Sequence, residues 1–516
     1  MLSAATVDGA GTVEPDQHMT TRIAMGIKPR GLDRGSVGTW GMSFFTVSAS
    51  APMTVLAGSV VATYAVTGSR GVPLSFVVLA VALWPFTVGY AAMGRHVSHA
   101  GVFYAYIARG LSRTAGVAGG ALALLAYNSI QICLYGLLGV SLEGFLPDVD
   151  LRWWGWALLA WILIAILGLL HIQLNAKVLA VTLGLELLVI ALFDLAALNH
   201  PASGHLQLTG LSPSSLFTGG IGGVFAFGIA AFVGYETGPA YSEEANGTRP
   251  VSRATFTALT FLAVVYALSS LSLSVTEGPA TVVDAARDPS SGIPFSIIAR
   301  YYGSPLAHLA NLLLITSIFG AMLSFHNTSA RYAFALAREH VLPRALAATG
   351  SRGRTASSPV AGSILQSGLA VVVFGLFAFA GADPLATLFT WLSTVAALAI
   401  VALMAGTSMA VIGYFRRNPI DARSEPRWRT IGAPLLGIAT LTAVLVITVA
   451  NLDSVLGSSS NILKVAVPGV VVLAAVIGAL WGAVLRANNP TAYRLIGTGE
   501  RQPLRDPTPA FQGTKL

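Results

Sequence analysis

The sequence predicts an all-α membrane protein with twelve spanning helices. Three observations carry that reading. Of 516 residues, 54% are hydrophobic and only 10% are charged, with mean hydropathy +0.71, whereas soluble domains carry roughly 25% charged residues. The apolar runs are continuous and about twenty residues long, the length of a helix across a bilayer. They do not alternate over about ten residues, as the strands of a membrane barrel would.

The runs fall at about 38–67, 72–93, 115–141, 153–170, 177–198, 215–238, 254–275, 305–330, 359–380, 384–412, 432–452 and 463–485. The fourth is short, and only a turn at Gly381-Ala382-Asp383-Pro384 separates the ninth from the tenth. Residues 1–35 hold Asp8, Glu14, Asp16 and Asp33 and lack the apolar core of a signal peptide. They read as a disordered polar tail, and the Pro-rich stretch 487–516 reads as a second. The transporter-type domain is expected over 36–486.

Basic residues set the orientation. With the N-terminus in the cytoplasm, 25 of the 30 Lys and Arg fall on the cytoplasmic side, leaving Arg70, Arg152, Arg287, Arg300 and Lys464 opposite. Both termini are therefore expected in the cytoplasm, and the membrane is expected to be the cytoplasmic (inner) one. The net charge of +8 reads as topology, because the basic residues form no face interleaved with aromatic rings; no nucleic-acid partner is expected. The single cysteine, Cys133, reads as a small buried hydrophobe.

Two spans are interrupted. Span 1 contains "TVSASAPM" (46–53) and span 6 contains "AFGIAAFVGYETGP" (226–239). They take equivalent places if spans 1–5 (about 38–198) and 6–10 (about 215–412) are repeats, the pattern of many secondary transporters. A broken helix leaves backbone N–H and C=O groups for protein, water or ligand to satisfy. The restarting half-helix after Pro52 suits a carboxylate, Ser48 and Ser50 add hydroxyls, and free carbonyls at the other break suit an ammonium group. Together they make a site for a zwitterion such as an amino acid. The rival role for the two serines is close helix packing.

Ionisable residues inside spans default to functional hypotheses. Glu186 lies in "LAVTLGLELLVIAL", where its charged form is costly, a property suited to taking up and releasing a proton. Glu236 lies at the end of span 6. Asp194 is expected near a span end in a solvated or capping role, His326 in a structural hydrogen bond, His171 at an interface, and Asp383 at a solvated turn. No metal-binding constellation, cofactor motif, phosphate loop or nucleophile–base pair occurs, so neither an enzyme nor a built-in ATP-driven pump is expected.

Three stretches carry a family resemblance. "FVGYETGPAYSEEANGTRPVSRAT", "YAAMGRHVSHAGVFYAYIARGLSR" and "NTSARYAFALAREHVLPRAL" resemble, in order, the sixth helix with its following loop, the segment after helix 2, and the end of helix 8 of the amino acid–polyamine–organocation (APC) permeases. The resemblance covers about residues 36–486. It implies a leucine-transporter-like five-plus-five inverted repeat, broken at helices 1 and 6, that binds substrate between them with help from helices 3, 8 and 10.

Carried onto this chain, the helix 1 break is Ser48, Ala49, Ser50 and Ala51, and the helix 6 break runs from Phe227 through Ala230 and Phe232 to Tyr235. Phe232 and Tyr235 become lid or pocket aromatics. Tyr127 and Asn128 in span 3 and Trp391 in span 10 are further pocket candidates. Glu236 matches a glutamate that links helices or senses protons. Glu243 and Glu244 become a cytoplasmic gate pair, expected to meet arginines of a neighbouring loop. Where some members place a lysine in span 5 in lieu of a sodium ion, this chain aligns Glu186, so fixed positive charge is replaced by a protonatable group. Ser-Ala-Ser-Ala-Pro also departs from the family's glycine-rich helix 1 break.

The expected function is secondary active transport of an amino acid, with protons as the coupling ion and uptake by alternating access. The alternatives are an exchanger of amino acids or amines/polyamines and a transporter-like nutrient sensor, the latter disfavoured by the short tails. Oligomeric state is not legible.

Overall fold

The computed structural model describes residues 39–170, 172–243, 249–350, 358–458 and 460–499. Among these residues the secondary structure is helical, with no strand. The main helices are α1 (Thr39–Ala49), α2 (Val61–Thr67), α3 (Val72–Gly94), α4 (Val102–Gly110), α5 (Arg113–Phe145), α6 (Trp153–Leu169), α7 (Ile172–Asn199), α8 (Ile221–Phe232), α9 (Arg249–Glu277), α10 (Ser304–Arg338), α11 (Val360–Phe379), α12 (Thr390–Arg417), α13 (Ala433–Ala450), α14 (Asn461–Asn488) and α15 (Pro490–Leu495).

Ten stretches among the described residues are long and apolar enough to cross a membrane. The other two expected spans are present as shorter apolar helices, α6 and α8. Their shortness has different causes. α6 begins only after an extended Arg152 and stops at Leu169. α8 stops because the chain turns at Val233–Glu236. The turn expected near Asp383 is present: its exposed carboxylate accepts the Leu385 and Ala386 amides and caps the helix that follows.

Lipid explains the outer surface. Leu159, Leu163 and Ile166 on α6 and Val472, Ile477 and Leu480 on α14 are exposed, as side chains facing hydrocarbon should be. With lipid tails as apolar as the core, helices associate through close packing of small residues. α4 and α12 show it: a Cβ on Gly110 would lie 2.0 Å from the Ala410 carbonyl oxygen, and one on Gly413 would lie 2.0 Å from the Gly110 carbonyl oxygen.

Residues 490–499, read from the sequence as part of a polar tail, instead form α15 and a turn that pack onto the bundle. Arg109 on α4 donates to the Gly497 carbonyl at 2.6 Å and the Thr498 carbonyl at 3.0 Å. Glu339, just past α10, accepts the Gly497 and Gly499 amides at 2.6 and 2.7 Å. A polar composition at 487–499 does not mean a free chain when half-buried Arg109 donates to its carbonyls and buried Glu339 accepts its amides. His171, the N-terminal tail and residues 500–516 lie outside the described residues.

Gly110→Ala should lower the unfolding midpoint in detergent, by about 1–3 kcal/mol of overpacking. Gly375→Ala, on α11 with nothing within 4 Å of the added carbon, should leave it unchanged or slightly raised. Equal effects of the two substitutions would contradict the close approach of α4 and α12.

Candidate functional site

The first break lies where the sequence places it. α1 ends at Ala49, Ser50 turns, and Ala51 takes a left-handed conformation (φ 44, ψ 70) before Pro52 restarts the helix. That conformation is unusual for a residue with a Cβ, and here an alanine holds it. The restarted segment runs through a π-helical stretch, Val55–Val60, into α2; such stretches often mark functional places in helices. The Ser50 carbonyl, freed by the break, accepts the Tyr266 hydroxyl of α9 at 2.9 Å.

The second break is shorter and later than the sequence suggests. Phe227 and Ala230 are ordinary turns of α8, which runs to Phe232, so the expected start at Phe227 is corrected to Val233. A run of small apolar residues can stay helical when its neighbours pack closely; only Gly234 (φ +114) takes a conformation that stops it. The chain resumes as a single 3-10 turn, Gly238–Tyr241.

Gly234 brings the breaks together. A Cβ there would lie 2.9 Å from the Ala49 carbonyl carbon and 3.0 Å from the Ser50 nitrogen. Glu236 then repairs the second break. Its carboxylate accepts the Gly234 amide at 2.9 Å and the Tyr127 hydroxyl of α5 at 3.2 Å. Its carbonyl accepts the Tyr90 hydroxyl of α3 at 3.0 Å. Tyr235 shares a hydrogen bond of 3.2 Å with Thr87 of α3. Phe232 closes a three-ring cluster with Phe76 and Tyr266, centroids 5.4–6.1 Å apart. Ser48, Ser50, Phe232, Tyr235 and Tyr127 are all at most 5% exposed, so the breaks are shut away in this conformation.

Glu186, on α7, comes to the first break from the opposite side. Its carboxyl interacts with the Met53 main chain and the Ser317 hydroxyl of α10, and its Oε2 is buried without a close hydrogen bond among the described contacts. Ser50 Oγ and Thr54 Oγ1 are in the same condition. An unpaired buried polar atom is costly. These polar groups gather around one helix break.

The remaining candidates divide. Asn128 donates to the Leu124 carbonyl, leaving its own carbonyl buried and unpartnered. Trp391 meets Phe377 of α11 edge-on at 6.4 Å; among the described contacts its ring reaches neither break. Asp194 is buried and accepts the Ser269 hydroxyl at 3.0 Å, which corrects the expectation of a solvated or capping role. His326 bonds Ser363 at 2.7 Å, the structural role expected of it.

Glu243 finds its arginine on a helix, whereas a loop was expected. Arg338, the last residue of α10, donates to both its oxygens at 2.6 and 2.7 Å, and the Ala100 amide adds a third bond at 2.9 Å. Burial pushes the Glu243 carboxyl up, but the Arg338 hydrogen bonds and charge outweigh it and hold the group at about 2. Glu339 beside it is fully buried and accepts from His99 and Tyr104. Burial raises it, and the His99 hydrogen bond and charge bring it below the ordinary carboxylate value. Glu244 lies outside the described residues.

The family described as Amino acid permease matches residues 37–477. The chain belongs to the amino acid permease family. A comparison with curated proteins finds no match. Membership places the permease in the APC superfamily, makes it a multi-pass membrane transporter, and implies a small amino-acid substrate. The sequence missed Tyr90, Thr87, Tyr266, Ser317 and Arg338 as parts of this arrangement. A tyrosine in an apolar span is the one signal that could have found two of them, since a buried phenol seeks a hydrogen-bond partner.

Two outcomes test this arrangement. Gly234→Ala strains φ and pushes Ala49 away; it should cost about 1–3 kcal/mol in stability and abolish binding of substrate amino acid in a thermal-shift assay. Glu243→Gln should cost about 1.5–3 kcal/mol, the scale for hydrogen bonds to a charged group. Because the folded-state value is depressed from 4.5 to about 2, the stabilisation is complete above pH 4.5 and lost as pH falls through 2. The wild-type unfolding midpoint should therefore fall across that window more steeply than that of Glu243→Gln.

Proposed function

We propose that this permease moves an amino acid across the cytoplasmic membrane by alternating access, with proton-coupled uptake. The reading rests on one observation: two interrupted helices meet at Gly234 and Ala49–Ser50, in a buried place bordered by polar atoms that have no partner. The restarted helix after Pro52 offers N–H groups to a substrate carboxylate, and the turn after α8 offers carbonyls to its ammonium group. Tyr127, Phe232 and Tyr235 wall the site. Asn128 and Trp391 stand further out as candidates.

On this reading the fold is the twelve-span, five-plus-five inverted repeat, with both termini in the cytoplasm. α8 and the turn after it supply the broken sixth span. Glu186 is the coupling carboxyl. Protonated, it is a donor able to satisfy Ser317 or the substrate; ionised, it competes with a substrate carboxylate for the N–H groups at Met53. Binding of proton and substrate is thereby linked. Glu236 has a different part. With its carboxylate already bonded to Gly234 and Tyr127, it holds the second break in shape. Glu243 with Arg338 forms the inner gate, closing the segment after the second break onto α10.

Exchange of amino acids or amines is the second reading. Proteoliposomes decide. An inside-alkaline pH gradient should drive concentrative uptake by the wild type. Glu186→Gln should lose that drive by at least about tenfold, a 1.4 kcal/mol effect, while equilibrium counterflow persists. Glu186→Gln protein that still concentrates substrate with unchanged pH dependence would remove Glu186 from the coupling role. Flux that requires amino acid on both sides would establish exchange.

A further inference from the structure

The turn between α12 and α13 holds a pocket of about 560 Å³. Its lining combines apolar Phe415, Pro426 and Ile431 with Arg416, Arg423 and Arg427. All three arginines are exposed, and none has an ion pair or hydrogen bond among the described contacts. The neighbouring acids are already taken. Glu425 bonds Arg95 at 2.5 Å and Arg429 at 3.4 Å. Asp421 accepts the Tyr414 hydroxyl at 2.5 Å and lies 3.6 Å from His96. The pocket therefore carries net positive charge that the protein leaves uncompensated.

Its position fixes what can reach it. α12 and the stretch Trp428–Ala450 are both long and apolar enough to cross the membrane, so the turn joining them lies at a membrane face. Ile420 is 81% exposed and Trp428 is 56% exposed. Trp428 and Arg429 also line a second hollow with Trp84 and Val88 of α3, and Leu435 and Leu436, in the first turn of α13, are exposed as well. An exposed tryptophan and isoleucine beside unpaired arginines form an interfacial pattern: aromatic and apolar groups at headgroup level, guanidinium groups facing phosphate.

We propose that this pocket binds the headgroup phosphate of an anionic phospholipid, with the acyl chains lying along the exposed face of α13. Basic pockets between spanning helices suit such headgroups, and arginine's forked donors suit phosphate oxygens. A soluble anion would gain the charge contact but would not use Ile420, Trp428, Leu435 and Leu436. An acidic protein segment would need a carboxylate-rich surface and no acyl-chain path. The lipid alone uses both halves of the surface.

The test is a titration of the purified full chain in neutral detergent with dihexanoylphosphatidylglycerol, dihexanoylphosphatidylcholine, inorganic phosphate or a poly-glutamate peptide. Binding is read by native mass spectrometry and by the unfolding midpoint. The phosphatidylglycerol should bind at one site and raise the midpoint, with the zwitterionic lipid at least tenfold weaker. Taking each basic residue near anionic lipid as worth about fivefold, R416Q/R423Q/R427Q together should weaken binding on the order of a hundredfold. The corresponding triple Arg→Lys protein should retain most of it, and R344Q, an exposed arginine elsewhere, should retain all. If the triple Gln protein is unstable, Arg427→Gln alone should still show its fivefold share. Equal binding of inorganic phosphate would make this a free-anion site. Stronger binding of poly-glutamate would make it a protein-docking surface. Undiminished lipid binding by the triple Gln protein would mean the pocket is not the site. Each of those three results overturns the proposal, and none bears on whether the protein transports amino acids.

Discussion

A helix broken inside a membrane must have its loose backbone groups satisfied by the protein itself or by a ligand, and the centre of this permease is built on that constraint. Glu236 meets it for the second break by folding its carboxylate back onto the Gly234 amide. Tyr90 and Tyr127 then tie the same residue to α3 and α5, so one glutamate both heals the break and fixes it to two neighbouring helices. The first break is only partly healed. Tyr266 takes the Ser50 carbonyl, but Ser50 and Thr54 hydroxyls and a Glu186 oxygen are left over. The two breaks differ: the carboxylate of Glu236 closes onto the second, whereas polar atoms beside the first have no partner among the described contacts.

The buried carboxylates illustrate how environment divides one chemical group into several roles. Glu236 is surrounded by donors. Glu243 and Glu339 lie at the end of α10, where Arg338, His99 and main-chain amides supply compensating charge and hydrogen bonds. Glu186 has Ser317 and the Met53 main chain nearby but no complete hydrogen bond at Oε2. A charge is tolerable in the first three places for reasons visible in their contacts. The fourth has fewer such contacts, and the proposed coupling role falls there for that reason.

Much of the centre was legible from residue type and spacing. Pro52 after Ser-Ala-Ser-Ala announced the first break, because proline favours a helix start. Glu186 and Glu236 announced themselves as carboxylates in apolar runs. Reading the second break was harder: the glycines at 219, 220, 222, 223 and 228 are as abundant as any helix breaker, yet α8 runs through the last three of them. Glycine permits a break without requiring one, and packing on neighbouring helices decides. The partner of Glu243 was equally hidden, since Arg338 is 95 residues away and sits on a helix. Trp391 packs its ring edge-on against Phe377 of α11, a contact its residue type did not reveal.

The sequence by itself determined the membrane class, the helical architecture, the neighbourhood of both breaks and the family, because hydrophobic run length and backbone-breaking residues act locally. Tertiary structure decided which break is satisfied, which acid meets which base, and that residues 490–499 close onto Arg109 and Glu339 instead of trailing free. Those outcomes depend on hydrogen-bond geometry between residues tens to hundreds of positions apart, where a shift of one residue turns a helical side chain by about 100° and exchanges one partner for another.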